Sequence, residues 1–236
     1  MPRTRRDRPD NAIHHVLNRG NRRQTIFHKP ADYNVFMDLL ATTTERVPMR
    51  ILAACLMPNH FHLVLWPNTG SDLSAYMQLL MNVHVRRYHT HYGTTGLGHV
   101  YQGRFKNFIV QSDIHLYRVL RYVEGNALRA GLVSDARLWK WSSVAGSVTP
   151  GGHEYLSEWP VPRLPNWYEF VNLRPSLEEL QRLQRSVKKG TPYGDPEWAK
   201  STLKAMSAEP AGHAEAASPP PRAVQSLDPP PRPAFV

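Results

Sequence analysis

Two apolar runs, 49–57 (MRILAACLM) and 60–66 (HFHLVLW), are separated by nothing but Pro58-Asn59. So short a connection leaves two strands one arrangement, as antiparallel neighbours. The rest of the chain must build a sheet around that hairpin. Residues 12–18 (AIHHVLN) have strand character and run into the turn signal Arg19-Gly20-Asn21. Residues 30–46 carry a helical pattern, with Pro30 suited to a first turn and Phe36, Leu39 and Leu40 on one face. Beyond the hairpin, Ser71-Asp72 reads as an N-cap for a helix over 71–91, whose apolar stripe is Leu73, Tyr76, Met77, Leu80 and Val83. A Gly-rich loop at 93–99 leads to a strand over 100–111, with Gly103 as a bulge position. Ser112-Asp113 then caps a helix over 113–130 that Gly131 closes.

The order β-α-β-β-α-β-α opens with the split βαβ plan. The expected class is α+β: a ferredoxin-like antiparallel sheet with two helices on one face. The expected organisation is a flexible basic arm over 1–11, one domain over 12–148, a C-terminal helical extension over 149–206 and a Pro-rich tail over 207–236. Trp139 and Trp141 are expected to pack the end of the domain. The extension carries two helices around a Gly/Pro break, the first of them (LEELQRLQ) a plain amphipathic packing helix. The tail holds eight of the chain's 21 prolines and almost no large apolar residues, so it is expected to be disordered.

Lys and Arg outnumber Asp and Glu by 29 to 19, a net charge of +10, which favours an anionic partner, most simply nucleic acid. Cys55 is the single cysteine, which excludes an intramolecular disulfide and a cysteine-based zinc cluster. Its apolar neighbours make it a small buried hydrophobe, and the expected compartment is reducing. No apolar stretch follows the basic start or approaches the ~20 residues of a membrane span. The expected location is the cytoplasm, with no membrane partner.

Strand alternation divides 60–66 into two faces. Phe61, Leu63 and Leu65 fit a helix-covered core. His60 and His62 then project together from the other face, about 6–7 Å apart at Cα, close enough to converge on one divalent ion. Two histidines at this spacing also arise by accident, and two ligands alone make a weak site. On the helix at 113–130, Leu116, Val119, Leu120, Val123 and Ala127 make the apolar face. His115, Arg118, Tyr122, Asn126 and Arg129 form a second stripe that is either a solvated polar face or a functional one. A tyrosine can attack a phosphodiester and conserve its bond energy in a phosphotyrosine. Free tyrosine, with a pKa of about 10, needs help from a metal on the phosphate or from nearby positive charge. Two neutral histidines and an asparagine carbonyl would suit Mg²⁺ or Mn²⁺. For holding DNA, the candidates are Arg19, Arg22 and Arg23 beside Gly20, Arg86 and Arg87, and Arg104 and Lys106. Tyr101 and Phe105 are interleaved among them as base-stacking aromatics, although such aromatics more often belong to the core. The N-terminal arm, with Arg3, Arg5, Arg6 and Arg8, could follow a stem through its phosphates.

His60-Phe61-His62 within MPNHFHLVLWP, followed by Tyr122-Val123-Glu124-Gly125-Asn126, resembles the HUH single-tyrosine transposases, and within them the REP-associated tyrosine transposases of bacteria. The segments 14–27 (HHVLNRGNRRQTIF), 98–107 (GHVYQGRFKN), 121–133 (RYVEGNALRAGLV), 139–143 (WKWSS) and 188–198 (KKGTPYGDPEW) carry the likeness across about 12–206. The resemblance implies that His60, His62 and Asn126 are metal ligands and that Tyr122 is the nucleophile of a 5′-phosphotyrosine intermediate. The substrate it implies is single-stranded hairpin DNA of a repetitive extragenic palindrome, nicked and rejoined. The family's Asn-Pro-Val stretch is here Asn126-Ala127-Leu128, and Gly125 inside the helix costs about 1 kcal/mol relative to alanine. Two competing readings are a catalytically silent hairpin-binding regulator and a metal-dependent hydrolase using activated water. The second lacks a carboxylate-rich ligand set near His60. In this family the tyrosine acts within one chain or across a dimer, so both monomer and homodimer stay open.

Overall fold

A computed structural model describes residues 9–146 and 155–208. Most of the arm expected at 1–11 and nearly all of the tail expected at 207–236 lie outside the described residues. The first six elements are β1 (Ile13–Arg19), α1 (Pro30–Arg46), β2 (Arg50–Met57), β3 (His60–Trp66), α2 (Gly70–Tyr92) and β4 (Lys106–Val110). The strands form one antiparallel sheet in the order β2-β3-β1-β4, which is the ferredoxin-like arrangement. Then come α3 (Ile114–Glu124), α4 (Asn126–Arg129), α5 (Ser143–Gly146), α6 (Trp167–Asn172), α7 (Leu177–Lys189) and α8 (Pro196–Ala208).

Both sheet faces are covered. Val16, Phe61, Leu63 and Leu65 pack under α1 and α2, against Phe36, Leu40, Leu73, Tyr76 and Leu80. The opposite face meets α3, whose Leu116, Val119, Leu120 and Val123 are fully buried against Cys55, Met57 and Val64. A register shift between Ile51 and Ala53 interrupts the alternation of β2. It places Leu52 and Ala53 together on the α3 side, and Ile51 and Ala54 on the other. Trp139 and Trp141 join the first core, Trp141 stacking on Tyr33 at 4.0 Å. α7 is the packing helix its sequence suggests and buries Leu183.

Local chemistry accounts for the helix ends. The Asp32 carboxylate accepts the main-chain N–H groups of His28 and Lys29, which fixes the first turn of α1. α2 begins earlier than Ser71-Asp72 suggests. Its cap is Thr69, whose hydroxyl accepts from the Asp72 N–H while Asp72 accepts from the Thr69 N–H. The earlier residue wins because that reciprocal pair satisfies two orphan donors at once.

Two expected elements are shorter than the sequence suggests. The strand expected over 100–111 is ordered as a strand only at Lys106–Val110. Tyr101 makes an isolated bridge to Gly20, and the Asn18 side chain captures the Gly103 carbonyl at 2.9 Å, so the ladder cannot continue. The helix expected over 113–130 breaks at Gly125. There the Tyr122 carbonyl accepts from the Arg129 side chain at 2.5 Å. A Cβ at Gly125 would lie 3.0 Å from the Arg121 carbonyl and 3.2 Å from that of Val171. Close backbone approach, rather than flexibility, explains the glycine.

One buried carboxyl ties α3 to the C-terminal segment. Glu124 is fully buried and accepts from Ser143 Oγ at 2.6 Å and Trp167 Nε1 at 2.7 Å. Glu124→Ala strands both donors and leaves a cavity, so unfolding free energy should fall by about 3 kcal/mol. Glu124→Gln, which keeps one acceptor oxygen, should lose about half of that. Urea unfolding of the variants measures both, and equal losses would show that the pair of acceptor oxygens rather than the volume matters.

Candidate active site

The pairing of β1 with β3 sets the site. Leu17 lies opposite His62 and Arg19 opposite His60. Alternation therefore turns His15 and Arg19 to the same face as His60 and His62, the face that α3 covers. The His60 and His62 rings stand edge-on with centroids 5.0 Å apart. His15 is fully buried and stacks beside His62, with its Nε2 2.8 Å from His62 Nδ1. From above, α3 sets the Tyr122 ring edge-on to both imidazoles, 5.6 Å from His62 and 6.0 Å from His15. The Arg129 guanidinium lies 4.2 Å from the centre of the Tyr122 ring. Asn126 opens α4 one turn past Tyr122, largely buried.

Electrostatics follow from burial. Desolvation, helped by the charge of Arg129, pulls His15 down to about 3. Desolvation and then Arg19 pull His60 down to about 4. His62 lies well below its ordinary value, through desolvation first and then its neighbours His15 and His60. All three are neutral at pH 7. Tyr122 is raised by burial, with Arg129 and Arg19 opposing the rise, so its resting state is the phenol.

These histidines fit a divalent ion. His60 Nδ1 lies 2.6 Å from the Asn59 side-chain oxygen, an atom that only accepts, so Nδ1 carries the proton. His62 Nδ1 is likewise engaged, by His15. His60 therefore presents Nε2 as a lone pair, and His62 does so in the tautomer whose Nδ1–H donates to His15, the way in which a polar partner orients a ligating imidazole.

The acid lability of the fold follows from the same burial. His15, His60, His62 and His84 all titrate below 6.5 when folded, mainly through desolvation. The unfolded chain then binds more protons below pH 6.5. Their contribution to stability is whole above that pH and is lost as pH falls toward 4. The urea midpoint should drop steadily from pH 7 to 4.5, and a flat midpoint would contradict the neutral assignments.

The remaining expected residues are scattered around this centre. Arg22 and Arg23 are exposed in the turn after β1, both with positive φ, 52° and 62°. Lys106 is exposed and pairs with Leu17, on the Tyr122 side of the sheet. Arg104 is exposed just before β4. Arg86 and Arg87 are exposed on α2, the helix that packs on the opposite face. Tyr101 is not available to stack bases. It is buried and its hydroxyl bonds His84 Nδ1 at 2.8 Å, while Phe105 is half-buried against the same core. A separate group, Asp113, His115 and Asp195, lies at the opposite end of α3 from Tyr122, its ligand atoms within 4.8 Å of one another. These residues could hold a cation. His115 Nδ1 lies 2.8 Å from Asp113, and its Nε2 lies 3.9 Å from Asp195.

Residues 10–126, from the start of the fold through the tyrosine helix to Asn126, match the family model of IS200-like transposases. This segment belongs to the IS200-like transposase family. Among solved structures, the chain is similar to a REP-associated tyrosine transposase bound to a REP hairpin, at 20% identity over 64% of this chain and 90% of that one, with a TM-score of 0.49. It is also similar to a putative transposase from Deinococcus radiodurans R1, at 15% identity over 52% of this chain and 96% of that one, with a TM-score of 0.38. No curated protein matches the chain. No helix among the described residues is long and apolar enough to cross a membrane.

Two residues of the centre around Tyr122 are not evident from the sequence. His15 sits in an ordinary strand, and only the register of β1 on β3 brings it to His62. Arg129 belongs to the stripe that contains Tyr122, seven residues on, but its contact depends on the break at Gly125. The doubled His14-His15 within a strand was the available signal for the first.

Proposed function

We propose that the chain is a metal-dependent single-stranded DNA endonuclease and strand transferase, a transposase that nicks and rejoins hairpin DNA of the repetitive extragenic palindrome type. The observation that carries this reading is the Tyr122 phenol lying against two neutral imidazoles, with a guanidinium across its ring. Membership of residues 10–126 in the transposase family supports it.

In the proposed reaction Tyr122 Oη forms a bond to the scissile phosphorus and loses its proton to water. The bond from phosphorus to the 3′ oxygen breaks, and that oxygen takes up a proton. The product is a 5′-phosphotyrosine, and rejoining is the reverse attack by a 3′-hydroxyl. Mg²⁺ or Mn²⁺ held by His60, His62 and Asn126 would supply Lewis-acid activation of the phosphate. His15 and Asn59 hold the two imidazoles in place, and α3 keeps the phenol fixed over them. Arg22, Arg23, Arg104 and Lys106 lie exposed where they can follow the DNA backbone.

The test is incubation of the full chain with end-labelled single-stranded hairpins, including repeats from the host chromosome, in Mg²⁺ or Mn²⁺. A denaturing gel should show cleavage together with labelled DNA shifted by the mass of the protein, and peptide mapping should place the label on Tyr122. Cleavage without an adduct would replace this reading with an activated-water hydrolase. Binding without cleavage would replace it with a regulator.

A further inference from the structure

Several arginines among the described residues have a carboxylate or carbonyl acceptor. Arg121 is buried, bonds Glu179 and stacks on Phe170 at 4.2 Å. Arg137 pairs with Asp135 at 2.7 Å. Arg50 directs its donors to the carbonyls of Trp66 and Pro67 and to Asn11 Oδ1. Arg129 and Arg19 differ. Among the described residues neither has a carboxylate partner. Arg129 commits Nη2 to the Tyr122 carbonyl and also engages the Tyr122 side chain, so among the described residues its only hydrogen-bond partner is the proposed nucleophile's own residue. Arg19 Nε is buried with no hydrogen-bond partner. Both guanidinium groups act electrostatically on Tyr122, and Arg19 acts on His60 as well. Among the described residues, the centre therefore holds two positive charges, three neutral histidines and no acid.

Desolvating an unpaired guanidinium is costly, and a fold retains such a group where an anion offsets it. A guanidinium presents its N–H donors in a planar fork that matches two phosphate oxygens. We infer that Arg129 and Arg19 form an anion cradle for the phosphodiester that Tyr122 attacks. Arg129 also fixes the nucleophile, since one side chain bonds the Tyr122 carbonyl and lies across its ring. The inference rests on the strand-transfer reading for the identity of the anion, but not for the existence of the anion site.

The first experiment needs neither DNA nor metal. Inorganic phosphate, titrated against the full chain at constant ionic strength, should raise the melting temperature saturably. Arg129→Gln and Arg19→Gln should each remove that rise, and Arg185→Gln, exposed on α7, should keep it. A rise that survives both single substitutions overturns the cradle. The second experiment measures single-turnover adduct formation on a hairpin. Arg129→Gln should slow it about 100-fold, as loss of one preorganised donor does elsewhere, with hairpin affinity changed by less than about threefold. Arg129→Lys keeps the charge but loses the fork, and should fall between. It also serves if the glutamine variant melts early. Normal adduct formation in a folded Arg129→Gln protein overturns the inference and leaves strand transfer standing. A phosphate effect lost in Arg129→Gln, in a wild type that forms no adduct, does the reverse.

Discussion

Tyr122→Phe is expected to abolish the covalent protein–DNA species while leaving fold and hairpin affinity nearly unchanged. The reason is that packing and chemistry at Tyr122 reside in different atoms. Its ring packs edge-on to His62 and His15 and beneath Arg129, and phenylalanine keeps every one of those contacts. Its main-chain carbonyl, which Arg129 holds, is also unaffected. What disappears is Oη, the proposed nucleophile. Loss of a nucleophile that acts as part of a unit costs at least about 10⁴-fold. Stability should change by under about 1 kcal/mol, because the site already keeps the hydroxyl as an uncharged phenol. Gel-shift affinity and urea unfolding check the second half of the prediction. An adduct that persists in Tyr122→Phe would move the nucleophile to another residue and remove the strand-transfer role from this centre.

The sequence makes the frame of this site legible and hides its depth, for a physical reason. α1 lies at the expected 30–46 because Pro30 and the 3.6-residue spacing of Phe36 and Leu40 are local signals. The β2–β3 hairpin is legible because two residues cannot connect anything else. Alternation along 60–66 is local too, and it correctly sends Phe61, Leu63 and Leu65 to the helix-covered core. What the sequence conceals depends on pairing between distant segments. His15 reaches His62 across a separation of 47 positions, through a strand register. The break at Gly125 depends on an Arg129 side chain and on the carbonyl of Val171. Tyr101, read as a stacking aromatic among basic residues, is drawn into the core by a hydrogen bond to His84 on α2. The polar stripe on α3 divides in the same way. Its first residue, His115, is buried between two carboxylates, while Tyr122 meets the histidines.

The second large effect concerns that hidden depth. His62→Ala should bring Mn²⁺ affinity below detection, because it removes a proposed ligand and half of the histidine pair. His15→Phe is the sharper experiment. Phenylalanine preserves the ring that stacks on His62 at 5.0 Å and meets Phe108 at 4.8 Å. It removes both ring nitrogens, the Nε2 that engages His62 Nδ1 and the unpartnered Nδ1. If His15 is merely a core ring, the substitution should be neutral or stabilising, since a buried polar group with an unpaired Nδ1 is replaced by hydrocarbon. If His15 orients the ligating imidazole, Mn²⁺ affinity should fall about 10- to 100-fold, the usual cost of losing such a partner, even as the melting temperature holds or rises. Mn²⁺ titration followed by electron paramagnetic resonance reads the affinity without DNA or turnover, so the result does not depend on the chemical step. Asn59→Ala provides the parallel case at His60, where the Nδ1 partner is a side-chain carbonyl at 2.6 Å. A loss of affinity in both variants, with the fold intact, would mean that the sheet holds two imidazoles by their inner nitrogens so that the outer pair faces the metal. Unchanged affinity in both would mean that ring packing alone sets the imidazoles, and that the hydrogen bonds at Nδ1 only satisfy buried polar atoms.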